Sequence, residues 1–213
     1  MTSLFYKLRP GKVESGRPPL LLMMHGIGSN EEDLFELASY IPEKFTVVSV
    51  RGPLGFGAGG YAWFMTQLGG TIPRIDAEQA DTSRKKIIGF LDELQNEIEF
   101  DEKAVYLLGF SQGGIMSYSV ALTAPEKVKG IVVMSSRLLP EVKPQIAEKS
   151  SLEHLKIFIS HGVQDQILRF GFAEEAAEYL LQSGLSPELH HYPAGHTITS
   201  EMLNDVVKWL EKL

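Results

Sequence analysis

A serine flanked by glycines follows an apolar stretch near the middle of the chain. In AVYLLGFSQGGIM, residues 104–116, the pattern Gly109-x-Ser111-x-Gly113 stands between two apolar segments. Such a spacing also arises by chance, so its surroundings decide its meaning. A strand, a sharp turn and a helix form the setting in which small neighbours let a serine project its hydroxyl as a nucleophile. The alternative is a serine that only caps a helix.

A serine nucleophile requires a base that takes its proton and an acid that holds the base. The chain contains two aspartates after Ser111. Asp165 follows the apolar run KIFIS in a loop, whereas Asp205 belongs to a helical pattern. Of the six histidines, His196 follows the last β-prone run. The order serine, aspartate, histidine is typical of hydrolases built on parallel sheets. We therefore predict Ser111, Asp165 and His196 as a catalytic triad.

A glycine-containing loop after another apolar run predicts donors for an oxyanion. The loop HGIGSN, residues 25–30, follows LLLMM. We predict the backbone amides of Ile27 and Gln112 as the two donors. Loss of one such donor typically slows an enzyme by about 10²- to 10³-fold. His25 is predicted to orient neighbouring loops. The histidines lack the spacing of a metal motif such as H-E-x-x-H, and we expect neither a metal nor another cofactor.

Apolar β-prone runs alternate with helical patterns along the chain. The runs cover residues 4–8, 20–24, 45–50, 104–109, 130–135, 156–160 and 188–192. Helical patterns cover residues 76–98, 115–122, 172–181 and 200–210, and Ser29 with Glu32 has capping-box spacing before a helix that ends at Pro42. This alternation predicts an α/β fold with a mostly parallel, doubly wound sheet and helices on both faces. We expect one domain over residues 1–213.

Two long irregular stretches, residues 51–74 and 136–152, interrupt this alternation. Loops of that length in a compact domain are usually functional or mobile. The aromatic residues Trp63 and Phe64 in the first stretch, with Leu138 and Leu139 in the second, are predicted to line an apolar substrate pocket. The alternative for the first stretch is a long connection folded over the core.

The composition excludes several classes of protein. The formal net charge is −7, which argues against nucleic-acid binding because such binding depends on clustered lysine and arginine. The chain has no cysteine, which excludes disulfides, thiolate metal sites and a cysteine nucleophile. The apolar run 20–24 is far too short to span a bilayer, and the N-terminus lacks a signal-peptide pattern. We expect a cytoplasmic protein without a membrane span, either a monomer or a homodimer.

The motifs HGIG, GFSQGG, HGVQD and AGH, in this order, resemble those of the phospholipase/carboxylesterase family of small α/β-hydrolases. That family includes acyl-protein thioesterases and bacterial carboxylesterases. The resemblance spans nearly the whole chain and implies an α/β-hydrolase fold with no large cap domain and no cofactor. It implies the same triad and the same oxyanion amides, and it places Trp63 near the acyl-binding region.

The predicted function is that of a serine carboxylesterase that hydrolyses short- to medium-chain acyl esters through an acyl-enzyme. An acyl-protein thioesterase or a lysophospholipase is the alternative within the family. A non-catalytic ligand-binding module on the same fold is the alternative from a different class. Arg137 and Arg169 depart from the family pattern near the expected mouth of the site. These departures bear on the substrate and leave the reaction class unchanged.

Overall fold

A seven-stranded sheet forms the centre of the computed structural model, which describes residues 2–67 and 74–213. In these ranges the strands are β1 (Tyr6–Arg9), β2 (Pro19–Met24), β3 (Thr46–Val50), β4 (Leu54–Phe56), β5 (Gly60–Ala62), β6 (Thr66–Gln67), β7 (Arg74–Ile75), β8 (Asp101–Phe110), β9 (Gly130–Met134), β10 (Lys156–Gly162) and β11 (Glu188–Tyr192). The α-helices are α1 (Glu31–Phe35), α2 (Ala77–Glu97), α3 (Gln112–Thr123), α4 (Lys149–Leu152), α5 (Gly171–Gln182) and α6 (Ser200–Glu211). Short 3₁₀ turns cover Glu36–Ser39, Pro125–Lys127 and Pro140–Gln145.

The strands of the central sheet lie in the order β1-β3-β2-β8-β9-β10-β11. The edge strand β1 pairs antiparallel with β3, and the other neighbours pair parallel. Parallel neighbours need long crossover connections, which helices supply here. The predicted α/β class with a mostly parallel sheet is confirmed.

Helices cover both faces of this sheet. On β2, Leu20 and Leu22 pack into a core formed with α2, α3 and α5. Their neighbours Leu21 and Met23 pack into a second core formed with α1 and α6. Because successive side chains of a strand point to opposite faces, burial of both faces requires continuous apolar runs. This is why the runs in the sequence do not alternate with polar residues.

The predicted capping box at the first helix is wrong. The side chain of Asn30 caps α1, since its Oδ1 accepts from the Glu32 amide at 2.8 Å. The hydroxyl of Ser29 instead donates to Asp33 Oδ2 at 2.6 Å. The α-helix ends at Phe35 and continues as a 3₁₀ turn. The helix is therefore shorter than the apolar pattern indicates.

A small hairpin, β4–β5, occupies part of the first irregular stretch and supports the glycine-containing loop after β2. The Gly28 amide donates to Tyr61 O at 2.8 Å, and the Tyr61 amide donates to Ser29 O at 2.7 Å. A Cβ at Gly60 would lie 2.4 Å from Gly28 O, so this contact requires glycine. Residues 68–73 of the predicted stretch lie outside the described residues. Within the described ranges, no helix is both long enough and apolar enough to cross a bilayer.

The N-terminus of α3 packs directly against the carboxyl end of β2. A Cβ at Gly113 would lie 1.8 Å from Met24 O and 2.8 Å from His25 O. Both obstacles are backbone atoms, which cannot move aside as a flexible side chain does. Helix and strand therefore meet backbone to backbone at this point.

We expect Gly113→Ala to lower the free energy of unfolding by about 3 kcal/mol or more, above the range typical of overpacked cores, because the added methyl meets fixed backbone. Urea denaturation followed by circular dichroism measures this change. The matched control is Gly89→Ala in α2, where an added Cβ meets nothing within 4 Å. That change should stabilise the protein by about 0.5 to 1 kcal/mol. Equal unfolding midpoints for the two variants would contradict the proposed contact.

Candidate active site

Ser111 occupies the sharp turn between β8 and α3. Its backbone has φ 53° and ψ −116°, a conformation that costs a non-glycine residue roughly 1–3 kcal/mol. Two hydrogen bonds hold it there: its amide donates to Met134 O at 2.9 Å, and its carbonyl accepts from Ser136 Oγ at 2.7 Å. The Ser111 side chain accepts no capping hydrogen bond from any described amide of α3. The alternative of a simple helix cap is therefore disfavoured.

The three residues predicted as a triad form one hydrogen-bonded chain. The His196 Nε2 lies 2.9 Å from Ser111 Oγ, and His196 Nδ1 lies 2.6 Å from Asp165 Oδ2. Because a carboxylate only accepts, Nδ1 carries the ring hydrogen and Nε2 accepts from the serine hydroxyl. This arrangement can transfer a proton from Ser111 to His196. The catalytic role of the three residues stays a prediction.

The loop after β10 fixes the orientation of Asp165. This carboxylate is buried. Its Oδ1 accepts from the amides of Ile167 and Leu168, each at 2.8 Å, while Oδ2 accepts from His196. A buried carboxylate needs such partners because burying a charge without them is costly. The loop therefore satisfies the carboxylate and aims it at the imidazole.

His161 supports the same loop from inside the sheet. It lies in β10, fully buried, and its Nε2 donates to Leu168 O at 2.7 Å. The same nitrogen lies 3.3 Å from Asp165 Oδ2. Burial lowers the pKa of His161 from its ordinary value, although Leu168 O and Asp165 act in the opposite direction. His161 is thus a neutral side chain at neutral pH that links β10 to the Asp165 loop.

Ile27 and Gln112, whose backbone amides are predicted to bind an oxyanion, lie at the same site as Ser111. Both residues line the cavity that Ser111 also lines. Neither amide donates a hydrogen bond to another residue in the described part of the chain. An oxyanion hole requires backbone amides that are not engaged by other acceptors. Their role as its donors stays a prediction.

The side chain of Gln112 holds the segment that follows the β4–β5 hairpin. Its Oε1 accepts from the Trp63 amide at 2.8 Å, and its Nε2 donates to Phe64 O at 2.7 Å. The Trp63 indole in turn donates to His25 O at 2.9 Å. The sequence predicted a role only for the backbone amide of Gln112. A long polar side chain at the start of an otherwise apolar, buried helix is the signal that could have revealed this network.

His25 joins the loops that follow β2 and β3. Its Nε2 accepts from the Gly52 amide at 2.9 Å, so Nδ1 carries the ring hydrogen and donates to Gly26 O at 2.7 Å. Burial lowers the pKa of His25, and the hydrogen bond to Gly26 partly offsets this effect. The neutral imidazole thus bridges two backbone segments. These contacts match the orienting role that the sequence predicts.

Two of the three remaining histidines, His154 and His190, have local contacts with residues outside the predicted triad. His154 Nε2 lies 3.0 Å from both Pro125 O and Val128 O. His190 in β11 stacks on Phe158 with ring centroids 4.5 Å apart. Among the described residues, no group of three or more histidine, aspartate or glutamate side chains is arranged to hold a metal ion.

An apolar cavity of about 190 Å³ opens beside Ser111. Exposed side chains of Ile27, Phe56 and Ile167 lie at its edge. The described residues that line it are Ile27, Phe56, Phe64, Thr66, Ile75, Ser111, Gln112, Ile115, Arg137, Ile167 and Leu168. Of the four predicted pocket residues, the structure places Phe64 on this wall.

The other three predicted pocket residues lie elsewhere. Trp63 is fully buried and acts as a hydrogen-bond donor beneath the loops. Leu138 and Leu139 belong to the core that α2, α3 and α5 share, and Leu139 lines a separate small cavity. The described cavity therefore corrects the pocket prediction for Trp63, Leu138 and Leu139. Hydrophobicity in a long loop does not distinguish a side chain that lines a cavity from one that anchors the loop to the core.

The chain is similar to a known protein family, to individual proteins and to solved structures. A family model described as Phospholipase/Carboxylesterase matches residues 12–213. The chain is 25% identical over 193 residues to the putative hydrolase MhqD of Bacillus subtilis (strain 168), with 91% of this chain and 92% of that protein covered. It is 32% identical over 164 residues to acyl-protein thioesterase 1 of Gibberella zeae, with 70% and 67% covered. The crystal structure of the Bacillus cereus carboxylesterase superposes with a TM-score of 0.84 at 28% identity, over 99% of this chain and 94% of that one.

The lowered pKa values of the two buried histidines indicate how the stability of the protein depends on pH. Folding lowers the pKa values of His25 and His161. The unfolded chain therefore binds more protons than the folded chain once the pH falls below about 6.5, the ordinary histidine value. The free energy of unfolding should therefore be constant just above pH 7 and should decrease as the pH falls from 6.5 toward 5.5. Urea titrations across this range measure the effect.

The variant His161→Gln tests the contribution of one of these rings. Glutamine retains an amide donor for Leu168 O and cannot titrate in this range. The decrease in stability below pH 6.5 should be smaller in this variant than in the wild type. An identical pH dependence in both proteins would show that His161 is not one of the groups responsible.

Proposed function

Because the chain belongs to the phospholipase/carboxylesterase family of ester-cleaving α/β-hydrolases, we propose that it is a serine carboxylesterase for short- to medium-chain acyl esters. The proposal is carried by one chain of contacts beside an apolar cavity. Ser111 Oγ lies 2.9 Å from His196 Nε2, and His196 Nδ1 lies 2.6 Å from Asp165 Oδ2. A nucleophile, a base and an acid in this geometry support acyl transfer.

In the first half of the reaction, Ser111 Oγ attacks the ester carbonyl while His196 Nε2 takes the hydroxyl proton. Asp165 stabilises the imidazolium that forms and keeps its orientation. The carbonyl oxygen becomes negatively charged, and the amides of Ile27 and Gln112 donate to it. The carbon–oxygen bond to the alcohol then breaks, and His196 returns the proton to the leaving oxygen. The product is an acyl group bound to Ser111 through an ester.

In the second half, a water molecule repeats these steps. His196 takes a proton from the water as its oxygen attacks the acyl carbonyl, and the same amides stabilise the second oxyanion. The bond to Ser111 Oγ breaks, and His196 returns the proton to the serine. One ester and one water give one carboxylic acid and one alcohol, and the enzyme is restored.

The size of the cavity supports a short acyl group. Pockets for drug-sized ligands typically measure about 300–1,000 Å³, whereas the cavity beside Ser111 measures about 190 Å³. Its wall includes Phe64, Ile115 and Leu168, which offer apolar contact to a hydrocarbon chain. A long fatty-acyl chain would extend beyond these side chains.

The acyl part of the ester is assigned to the cavity because of where His196 lies. As general acid, His196 must face the leaving alcohol, and it is not among the described residues that line the cavity. The leaving group therefore departs on the His196 side, and the acyl chain enters the cavity. A thioester would follow the same steps, so thioesters belong in the test.

We expect Ser111→Ala to lower kcat/KM for p-nitrophenyl butanoate by at least about 10³-fold, because the variant lacks the hydroxyl that contacts His196 Nε2. Release of p-nitrophenol measures the rate. The matched control is Ser119→Ala on the same helix, since the Ser119 hydroxyl donates to Ile115 O and does not line the cavity. This control should keep most of the activity. The proposed hydrolase activity would be refuted if the Ser111 variant kept its activity. It would also be refuted if the wild type were inert toward esters and thioesters alike.

A series of p-nitrophenyl esters tests the assignment of the cavity. We expect kcat/KM to be highest between the two-carbon and eight-carbon acyl chains and to decrease for chains of twelve or more carbons, which exceed the cavity. Matched thioesters should show the same dependence on chain length. A rate that continues to rise through sixteen carbons would contradict a short acyl site.

A further inference from the structure

Arg51, the residue that follows β3, joins three segments of the chain through its side chain. Its Nε and Nη2 donate to Glu31 Oε2 and Oε1 at 2.6 and 2.5 Å, and its Nη1 donates to the Tyr61 hydroxyl at 3.2 Å. The guanidinium also lies against the rings of Phe5 and Tyr61, 4.3 and 4.6 Å from their centres. Hydrogen bonds and cation–π contacts together fix the guanidinium.

Glu31, the partner of Arg51, is a buried carboxylate. It is only 2% exposed, and the hydrogen bonds from Arg51 lower the pKa of this carboxyl against the effect of burial. A charge pair removed from water gains little net stability, because the loss of hydration offsets the attraction. Its two parallel hydrogen bonds nevertheless fix the relative position of the two groups. Geometry therefore explains this pair better than stability does.

The segment after β3 is attached to both ends of the loop HGIGSN, residues 25–30. Glu31 begins α1 directly after this loop. The Gly52 amide, next to Arg51 in the chain, donates to His25 Nε2 at 2.9 Å. The segment thus binds the first residue of the loop through Gly52 and the residue after the loop through Arg51.

Tyr61 holds the middle of the same loop. Its carbonyl accepts from the Gly28 amide at 2.8 Å, and its amide donates to Ser29 O at 2.7 Å. Ile27 directly precedes these two residues and is 37% exposed, so packing of its own side chain gives it little support. The position of the Ile27 amide, one of the two predicted oxyanion donors, therefore depends on its neighbours in the loop.

We propose that the pair of Arg51 and Glu31, together with Tyr61, positions the Ile27 amide for the oxyanion that forms at Ser111. This inference rests on the proposed function, since it needs an ester that reacts at Ser111. Arg51, Glu31 and Tyr61 are not among the described residues that line the cavity beside Ser111. The pair acts through the loop, and Arg51 is a positioning residue.

A positioning role determines which kinetic constant changes when the pair is weakened. The carbonyl oxygen becomes an anion only as the tetrahedral intermediate forms, so a displaced amide weakens binding of the transition state more than binding of the ester. Both halves of the proposed reaction form such an oxyanion. The value of kcat therefore decreases whichever half limits the rate, while KM changes little because acylation and deacylation slow together.

We expect Arg51→Lys to lower kcat for p-nitrophenyl butanoate by on the order of tenfold, less than the loss of a whole donor, and to leave KM within about twofold. Lysine keeps the positive charge but lacks the planar fork that pairs with Glu31 through two parallel hydrogen bonds. An unchanged kcat, or a raised KM at unchanged kcat, would overturn the inference.

The matched control is Arg84→Lys in α2. Arg84 is also buried, and its Nε and Nη2 donate to Asp81 Oδ1 at 3.1 and 2.6 Å. Its Nη1 donates to Thr123 at the C-terminal end of α3. This control should keep the kcat of the wild type. An equal decrease in both variants would indicate a general loosening of the protein and would overturn the inference.

Inhibition by butyl trifluoromethyl ketone tests the oxyanion without a leaving group. A bond forms between Ser111 Oγ and the carbonyl carbon, the π electrons of the carbonyl move to its oxygen, and the serine proton moves to His196. The inhibition constant should rise in Arg51→Lys by the same factor by which kcat/KM falls. An inhibition constant that stays at the wild-type value would place the defect elsewhere and overturn the inference.

Two milder variants allow the test if Arg51→Lys does not fold. Glu31→Gln weakens the pair from its other side, and Tyr61→Phe removes only the hydroxyl that accepts from Arg51. Each variant, once circular dichroism shows it to be folded, should lower kcat by about twofold to tenfold at constant KM. Unchanged kcat in both would overturn the inference.

The wild type separates failure of this inference from failure of the proposed function. If it hydrolyses esters while these variants keep its kcat, the inference fails and the proposed esterase stands. If it hydrolyses no ester or thioester, the proposed function fails first, and the inference fails with it.

Discussion

The backbone contact between the start of α3 and the end of β2 sets the geometry of the whole site. Because Gly113 has no side chain, the helix approaches Met24 O more closely than any other residue would allow. This approach places the start of α3 beside the loop that carries Ile27, and Ser111 with its positive φ lies directly before the helix. The predicted nucleophile and both predicted oxyanion donors therefore lie next to this one contact.

Polar side chains beneath the site make its loops rigid. The Gln112 side chain binds the backbone of Trp63 and Phe64. The Trp63 indole and the His25 imidazole bind the loops after β2 and β3. His161 supports the Asp165 loop in the same way. Side chains outside the predicted triad thus hold the loops around it, which is how protein sites achieve precise geometry.

The sequence predicted the parts of this structure that depend on local pattern or on chain order. Continuous apolar runs located the central strands, and the order of Ser111, Asp165 and His196 along the chain identified residues that the structure brings together. The pocket was predicted less well, because a buried aromatic such as Trp63 and a cavity-lining one such as Phe64 look alike in sequence. The N-cap of α1 was also misplaced by one residue, since Ser29 and Asn30 are both good caps.

The position of Ser111 also bears on how the protein matures. Its turn is held by Met134 at the end of β9 and by Ser136 just after this strand, and its partners arrive from loops after β10 and β11. Sheets whose neighbouring strands are far apart in the chain form slowly, and β2 pairs with β8 across most of the N-terminal half. A newly made or partly unfolded chain therefore contains the serine without the two predicted partners that would activate it. Under the proposed mechanism, ester hydrolysis is confined to molecules that have finished folding.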